Sequence, residues 1–346
     1  MNAKIQLLEL TRAELGRWIK DRGEPSFRAG QIWSWIHQKR ARSFDDMTSL
    51  SKDFRNRLSA EAAIGSLRLA GKSESHKSGT VKCLWELEDG LRIESVFIPE
   101  KGRRTICLSS QVGCALGCTF CATGRMGFAR NLETREIVDQ VLSTACLVKE
   151  NPTNLVVMGM GEPFLNYDPV MKALDILHDP DGAALGHRRI TVSTSGIIPG
   201  IEQYSRENRP YKLAVSLNAT THGGRSLLMP INETYPLARL LESVLAYTRH
   251  TGKRVTFDYV LIRGKNDTAD DARRLLRMLH GIPCKVNLIP FNPTSSLYRR
   301  PDDDQVLRFA ESIMPLSAPV TLRMSRGQDI QGACGQLAVE QERQAD

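Results

Sequence analysis

The sequence predicts an α/β protein whose main body is a partial (β/α)6 barrel, with a small N-terminal helical accessory domain and a β-hairpin extension. Three observations support this prediction. After residue 121, short apolar segments alternate with segments of helical apolar spacing, which is typical of a parallel sheet with right-handed crossovers. In the first 60 residues the apolar spacing is helical. Between these parts the pattern has a period of two around Asp89-Gly90, which favours a two-residue hairpin turn.

The N-terminal accessory domain is predicted to span residues 1–65 and to contain three helices. Thr11 and Glu14 form a capping-box pattern that opens the first helix. Apolar residues at helical spacing predict the second helix from Ser26 to about Lys39, and a third helical piece follows before residue 60. The hairpin extension is predicted at residues 66–105, where the period changes to two.

Residues 106–335 are predicted to form the barrel, followed by a polar, flexible tail at 336–346. The predicted barrel strands lie at residues 105–109, 154–158, 189–193, 212–217, 255–262, 285–289 and 320–324. The predicted helices include 134–149, one that Asp168 caps with Pro169 at its first position, 236–250, 269–279 and 303–313. In parallel barrels the loops at the carboxyl ends of the strands carry the chemistry, so we expect the functional residues there.

Composition narrows the class of protein. The chain has 346 residues, and 41% hydrophobic content suffices for one large domain and a small one. No apolar run approaches the roughly 20 residues of a membrane span, and the N-terminus opens no signal peptide. Eight cysteines without a secretory signal argue against a disulfide framework and favour reduced thiols with metal or redox chemistry. We therefore expect a cytoplasmic protein that has no contact with a membrane.

The positive charge of the chain is concentrated at its N-terminus. The formal net charge is +8, and residues 1–60 hold 12 Lys or Arg against 7 Asp or Glu, an excess of +5. A basic helical module beside an enzyme core suits binding to a phosphate backbone. A solvated helix surface would have the same composition, so charge alone does not decide between the two interpretations.

Three cysteines, Cys114, Cys118 and Cys121, form a C-x3-C-x2-C run with no fourth cysteine close behind it. A [4Fe–4S] cluster normally takes one thiolate on each iron, so three ligands leave one iron open for a substrate. Structural zinc would need a second ligand pair, and none follows here. The spacing is similar to the signature of radical S-adenosylmethionine (radical SAM) enzymes, in which SAM binds the open iron. It implies two cofactors, a [4Fe–4S] cluster and SAM.

Small and polar residues follow the predicted barrel strands at the ends where SAM would bind. After the second strand, glycines let a ligand approach the backbone, and Glu162 can accept a hydrogen bond from an ammonium group. Serine and asparagine residues after the third, fourth and sixth strands offer hydroxyls and amides, although each alone is an ordinary turn residue. The residues predicted to bind SAM are Gly161, Glu162, Ser193, Ser216, Leu217, Asn218 and Asn292.

Two further cysteines lie where packing does not explain them. Cys334 is in a polar, glycine-rich segment just past the last predicted strand, and Cys107 lies seven residues before the first cysteine of the C-x3-C-x2-C run. By contrast, Cys83, Cys146 and Cys284 lie in apolar segments, so we expect these three thiols to be buried and inert.

Several motifs occur together along the chain. They are Cys107, Cys114-x3-Cys118-x2-Cys121, Gly159-Met-Gly-Glu-Pro163, Ser193-Thr-Ser-Gly196, Asn287-Leu-Ile-Pro-Phe-Asn292-Pro293 and Arg326-Gly-x-Asp-Ile-x-x-Ala-Cys334-Gly-Gln336. In combination they resemble the RlmN/Cfr family of radical SAM RNA adenine methyltransferases, from about residue 10 to residue 338. The N-terminal helices resemble the RNA-binding accessory domain of that family. Asn218 is a departure, because some members carry His there.

The resemblance implies a radical route to methylation, because C2 of adenine is electron-poor and cannot attack the methyl group of SAM. In the family, one SAM methylates the cysteine that corresponds to Cys334. A second SAM is cleaved to a 5′-deoxyadenosyl radical, which removes hydrogen from that S-methyl group, and the carbon radical adds to adenine. Glu94 corresponds to the family's proton acceptor. Cys107 corresponds to the thiol that releases the product as a disulfide bond forms.

The predicted function is methylation of C2 of an adenine in 23S rRNA, at the peptidyl transferase centre, and of the adenine 3′ of the anticodon in tRNA. An external electron donor such as flavodoxin is implied as a further partner. Methylation of C8 of the same rRNA adenine, as in Cfr-type members, is the nearest alternative because the motifs are shared. A radical SAM activase of a partner protein would leave Cys334, Cys107 and the basic module without roles. An iron–sulfur electron carrier would need a fourth cysteine ligand.

Overall fold

A computed structural model describes residues 4–295 and 297–339. The strands are β1 (Ile5–Gln6), β2 (Ala62–Ala63), β3 (Arg68–Glu74), β4 (Val81–Glu86), β5 (Arg92–Glu100), β6 (Arg103–Leu108), β7 (Gln111–Gly113), β8 (Phe128–Asn131), β9 (Asn154–Val157), β10 (Ile190–Thr194), β11 (Lys212–Ser216), β12 (Val255–Leu261), β13 (Cys284–Pro290) and β14 (Val320–Leu322). The α-helices are α1 (Arg12–Lys20), α2 (Phe27–His37), α3 (Lys52–Glu61), α4 (Ala122–Arg125), α5 (Thr134–Val148), α6 (Tyr167–His178), α7 (Ile198–Arg206), α8 (His222–Leu228), α9 (Ile231–Thr234), α10 (Leu237–Thr251), α11 (Ala269–Leu279) and α12 (Asp303–Ser312).

One mixed sheet of ten strands organises the molecule, in the order β14-β13-β12-β11-β10-β9-β6-β5-β4-β3. From β6 to β14 all neighbouring strands are parallel, and the helices between them form the crossovers. This parallel part is the predicted partial barrel, and the predicted α/β fold class is confirmed. Strands β3 to β5 extend the sheet beyond β6 as antiparallel neighbours.

Most barrel strands are largely buried, which explains why they are short and apolar. In β12, Val255, Phe257, Tyr259 and Leu261 are inaccessible to solvent on one face. The other face points toward the barrel axis and includes Asp258, a buried carboxyl group among these apolar residues. A buried charge of this kind marks a place where the interior of the barrel is polar rather than merely packed.

The N-terminal module closes on itself because β1 and β2 pair in parallel at residues 5–6 and 62–63. The predicted capping box is present, since the Glu14 carboxylate accepts from the Thr11 N–H at 2.7 Å and the Thr11 hydroxyl accepts from the Glu14 N–H. Trp33 is among the large side chains that helix α2 buries. The module therefore has a small core of its own.

A buried carboxylate on α5 joins the N-terminal module to the barrel. Asp139 accepts hydrogen bonds from the backbone N–H groups of Ser66 at 2.8 Å and Leu67 at 3.0 Å. It also forms an ion pair with Arg42 at 2.6 Å, although its side chain is only 1% exposed. These contacts fix the segment that leads from the module into β3.

The structure corrects several details of the predicted elements. The hairpin loop has three residues instead of two, because the Leu87 N–H donates to the Leu91 carbonyl and Gly90 has a φ of +80°. The extension also contains a third strand, β3, which the sequence analysis did not predict. Helix α6 begins at Tyr167 and its N-cap is Asn166, not Asp168. The remaining predicted elements differ from the observed ones by a few residues at their ends.

Two predictions about exposure are wrong. Cys146 is exposed, while Cys83 and Cys284 are buried as expected. The predicted flexible tail begins too early, because Leu337 and Val339 are buried against the core. The rest of that tail, residues 340–346, lies outside the described residues.

Candidate active site

A cavity lies at the carboxyl ends of the parallel strands. It contains about 1020 Å³ of empty space, part of which is open to solvent. The loops after β6, β9, β10, β11 and β13 line it, together with the segment that follows β14. The predicted site residues that line this cavity are Cys114, Cys118, Cys121, Gly161, Glu162, Ser193, Ser216, Asn218, Asn292 and Cys334. Three other predicted residues, Leu217, Glu94 and Cys107, lie behind its walls.

The three clustered cysteines follow β7, and Cys121 directly precedes the short helix α4. Burial raises the pKa of Cys114 to about 11. Burial also raises the pKa of Cys118 well above its ordinary value, and the charges of Cys121 and Cys114 raise it further. These two thiols therefore ionise only when a cation is present to offset the negative charge.

The chemistry of the three thiols fits a [4Fe–4S] cluster. Each ligand of such a cluster binds a different iron through a soft donor atom, and three ligands leave the fourth iron open. Three soft thiol ligands around one deep cavity are the donor set that such a cluster needs.

Glu162 is buried at the cavity wall, where two backbone groups already bind its carboxylate. Its oxygens accept hydrogen bonds from the N–H of Ser195 at 2.7 Å and the N–H of Phe164 at 3.0 Å. Burial raises the pKa of Glu162, while these hydrogen bonds oppose the rise. A cationic ligand group in the cavity would favour the ionised form in the same way.

The two asparagines predicted to bind SAM also hold the loops in place. The Asn218 side chain accepts from the Val260 N–H at 2.9 Å, and its backbone has a φ of +56°. The Asn292 amide donates to the Cys334 carbonyl at 3.0 Å, so it anchors the segment that carries this cysteine. Leu217 does not reach the cavity. Its side chain is wholly buried, and its backbone N–H donates a hydrogen bond to the Asp258 carbonyl.

Cys107 and Cys334 are brought together although 226 residues of chain separate them. Cys107 is on β6 and is 7% exposed, whereas Cys334 lines the cavity. Burial raises the pKa of Cys107 to about 12, and the charge of Cys334 contributes to this rise while that of Arg323 opposes it. The two sulfurs are therefore close enough for the charge on one to affect the other.

Glu94 lies on β5, behind the segment that carries Cys334. Its carboxylate pairs with the Lys82 ammonium at 2.8 Å and accepts from the Ala338 N–H at 3.0 Å. Burial raises the pKa of Glu94, and Lys82 and Ala338 oppose this effect. The residue thus contacts the same C-terminal segment as Cys334 without lining the cavity itself.

Three charged residues at this site were missed by the sequence analysis. Asp258 and Arg323 line the cavity, and the Asp258 carboxylate accepts from Asn287 at 2.9 Å. Arg225 is wholly buried behind the loops after β10 and β11, where it donates to the carbonyls of Ser195 at 2.6 Å and Ser216 at 3.2 Å. Asp258 could have been identified from the sequence, because it is the one charged residue inside the apolar strand β12. Nothing in the local sequence pointed to Arg225.

Comparisons with known proteins agree with this geometry. The family model for the ribosomal RNA large subunit methyltransferase N-terminal domain matches residues 5–64, and that for the radical SAM superfamily matches residues 108–279. The chain is 47% identical to the dual-specificity RNA methyltransferase RlmN of an Anaeromyxobacter species, over 97% of this chain and 90% of the relative. It is also 47% identical to the RlmN of Geotalea uraniireducens, over 96% of both chains.

A solved structure supports the same assignment. The crystal structure of a radical SAM methyltransferase from Sphaerobacter thermophilus superposes with a TM-score of 0.92 at 44% identity, covering 96% of this chain and 99% of that one. In the part of the chain that the structure describes, no helix has both the length and the apolar composition needed to cross a membrane. The chain therefore belongs to the RlmN family of radical SAM RNA methyltransferases, which use a [4Fe–4S] cluster and SAM.

Proposed function

We propose that this protein methylates C2 of one adenine in 23S rRNA, at the peptidyl transferase centre, and C2 of the adenine 3′ of the anticodon in tRNAs. The observation that carries the proposal is a single cavity that contains the three clustered cysteines, the polar ends of the barrel strands and Cys334, with Cys107 beside it. The relatives named dual-specificity RNA methyltransferase support two classes of RNA substrate.

Each part of the cavity has a proposed role. Cys114, Cys118 and Cys121 would hold the [4Fe–4S] cluster, which supplies the electron that cleaves SAM when both are bound. The SAM-binding residues would be Gly161, Glu162, Ser193, Ser216, Asn218 and Asn292, all of which line the cavity, whereas Leu217 does not. The negative charge of Glu162 suits the ammonium group of SAM, because the carboxylate is buried and held by two N–H groups.

Cys334 would carry the methyl group, and two contacts keep its segment in position. The Asn292 amide holds its carbonyl, and Glu94 holds the N–H of Ala338 four residues later. Glu94 would accept the proton of adenine, which requires its ionised form. The ion pair with Lys82 favours that form against the effect of burial. Cys107 would then attack the Cys334 sulfur to form the disulfide. The S–C bond between Cys334 and the RNA would break, and its electron pair, with a proton that replaces the one lost by the Cys107 thiol, would complete the methyl group on the released RNA.

The remaining parts of the chain would serve substrate and electron delivery. We assign residues 1–65 to an RNA-binding domain, residues 66–105 to the extension that supplies Glu94, and residues 106–335 to the catalytic barrel. An external one-electron donor such as flavodoxin would reduce the cluster. A cytoplasmic location suits the free thiols and an RNA substrate.

The product of the reaction tests this proposal. The holoenzyme, SAM and a reductant are incubated with 23S rRNA or tRNA, and the digested nucleosides are analysed by mass spectrometry and chromatography. We expect 2-methyladenosine from both RNAs. 8-Methyladenosine from the rRNA would instead establish the Cfr-type alternative, and unmodified RNA would contradict both.

Variants of single cysteines separate the cluster from the methyl carrier. Cys118→Ala should lose both the iron–sulfur absorbance and methylation. Cys334→Ala should keep the absorbance but transfer no methyl group. A methyl group found on any other cysteine of the wild-type protein would contradict the role of Cys334.

A further inference from the structure

Three cations stand at the amino ends of the barrel strands, at the end opposite the cavity. Arg103 begins β6, Lys212 begins β11 and Lys285 is the second residue of β13. Lys212 lies four residues before Ser216, and Lys285 lies four residues before Ile289. Both Ser216 and Ile289 line the cavity. Side chains at even spacing share a face of the strand, so these lysines stand on the faces that look toward the barrel axis.

The three residues stand around one mouth of the barrel, because each is at or next to the amino end of a barrel strand. In the sheet, β11 is separated from β13 by one strand and from β6 by two. The pKa of Lys212 is lowered by burial and then by the charges of Lys285 and Arg103, which agrees with this placement. We call Arg103, Lys212 and Lys285 the amino-end cation cluster.

No acidic side chain compensates this cluster among residues 4–295 and 297–339. None of the three cations forms an ion pair there, and a further exposed cation, Arg254, directly precedes β12 at the same end of the sheet. The carboxylate opposite Arg103 is Glu100, and it already pairs with Arg326 at 3.3 Å. Like charges around one mouth repel one another, and an anion that bound between them would relieve this repulsion.

We propose that the amino-end cation cluster binds phosphate groups of the RNA substrate, as a contact region separate from the N-terminal module. The inference rests on the proposed RNA substrates. Arginine and lysine are the side chains that contact phosphate oxygens most effectively, and three of them stand around this mouth. The chain also keeps a net charge of +8, of which the first 60 residues account for only part.

An acidic redox protein is the competing partner, and strand length argues against it. Strand β11 has five residues, so about 13 Å separate Lys212 from Ser216 at the cavity. An electron-donor protein docked at the amino ends would hold its redox centre more than this distance from Cys114, Cys118 and Cys121. Electron tunnelling slows steeply with distance, so this would be a poor docking position. RNA has no such restriction, because its backbone contacts need only charge and reach.

The salt dependence of RNA binding tests the inference. The affinity of the holoenzyme for tRNA and for a 23S rRNA fragment is measured by fluorescence anisotropy over a range of salt concentrations. Lys212→Gln/Lys285→Gln should reduce the slope of log affinity against log salt by roughly 1.4 to 1.8, since each lost phosphate contact removes about 0.7 to 0.9. The matched control is Arg239→Gln/Arg273→Gln, which removes the same charge at two exposed arginines on the outer helices α10 and α11.

The outcomes separate this inference from the proposed function. Equal slopes for the two double variants would overturn the phosphate site while the wild-type enzyme still methylates RNA. Absence of methylation by the wild type would overturn the proposed function itself. The lysine double variant could instead keep its RNA affinity and lose turnover with a protein electron donor but not with dithionite. The amino-end cation cluster would then bind an acidic redox protein, and the RNA inference would be wrong. Iron–sulfur absorbance and the unfolding temperature should match those of the wild type in both variants.

Discussion

At the scale of single residues, the proposed role of the buried Cys107 thiol is to release the product. It lies beside Cys334, and its raised pKa keeps it protonated until the reaction gives it a partner. We expect Cys107→Ala to accumulate a covalent protein–RNA adduct that survives a denaturing gel, with at most one adduct per enzyme. Cys334→Ala should form none. Wild-type turnover by Cys107→Ala, with no adduct, would contradict the two-cysteine route.

The ion pair between Glu94 and Lys82 predicts a change in the pH profile. A proton acceptor works only when ionised, so activity falls as the pH drops through the pKa of Glu94. Lys82→Met removes a charge that lowers this pKa, and the protonated form should then persist to higher pH. We expect the acidic limb of the turnover profile to move to higher pH, and turnover at a fixed acidic pH to fall about tenfold if the limb moves by one pH unit.

A second lysine variant provides the control for this pH experiment. Lys72 is exposed and pairs with Glu74 at 3.0 Å on the outer strand of the extension, away from Glu94. Lys72→Met should leave the acidic limb where it is in the wild type. An identical profile in both variants would mean that Glu94 is not the group whose ionisation limits turnover.

At the scale of elements, the sequence predicted those helices and strands whose burial imposes a regular pattern of apolar residues. The barrel strands were visible because burial on both faces requires continuous apolar runs. Strand β3 was not, since it contains Gly71 and Lys72 and its residues are mostly exposed. The sequence placed the N-cap of α6 at Asp168 instead of Asn166. The Asn166 side-chain amide donates hydrogen bonds to the carbonyls of Ser110 and Leu132, which fixes this residue before the helix. Those partners are distant in sequence, so only the folded chain reveals them.

The candidate site was predicted to a similar extent and for a similar reason. Its loop residues are motif residues at the ends of recognisable strands, and these loops meet in one cavity. Arg225 and Arg323 act across the barrel, between segments that only the tertiary fold brings together. Contacts that form only when loops meet leave no periodicity or spacing in the sequence, so no local pattern indicated these two residues.

The loop after β9 contains a glycine, Gly161, that has no room for a larger side chain. Gly161 has a φ of +98°, and an added Cβ would lie 2.5 Å from the Gln111 side chain. We expect Gly161→Ala to weaken SAM binding by equilibrium dialysis and to destabilise the fold by about 1–3 kcal/mol. Gly186→Ala is the control, because an added Cβ there meets no atom within 4 Å. Equal SAM affinities for the two variants would show that the loop has no steric role.

At the scale of the whole molecule, the extension and the C-terminal segment meet beside the cavity. The extension supplies Glu94 and the C-terminal segment supplies Cys334, and the two meet where Glu94 accepts from the Ala338 N–H. A second contact joins Arg326 to Glu100 at 3.3 Å. The open side of the partial barrel is thus covered by a segment that follows the last strand.

The attachment of the N-terminal module depends on Asp139. Its carboxylate binds two N–H groups of the connecting segment and pairs with Arg42, while it is almost fully buried. Asp139→Ala leaves these groups without a partner, so we expect a loss of about 3 kcal/mol in the free energy of unfolding in urea. Proteolysis should increase between Ala62 and Leu67, and affinity for RNA should fall as the module loosens.

The matched variant for this last prediction is Glu242→Ala, which breaks an exposed ion pair with Arg239 on α10. Exposed pairs contribute about 0–1 kcal/mol, so the control should unfold near the wild-type urea concentration and keep its RNA affinity. SAM binding should persist in Asp139→Ala, because Asp139 does not line the cavity. If both variants lose the same stability, the module is held by its other contacts, such as the ion pair between Glu14 and Lys172 at 3.1 Å.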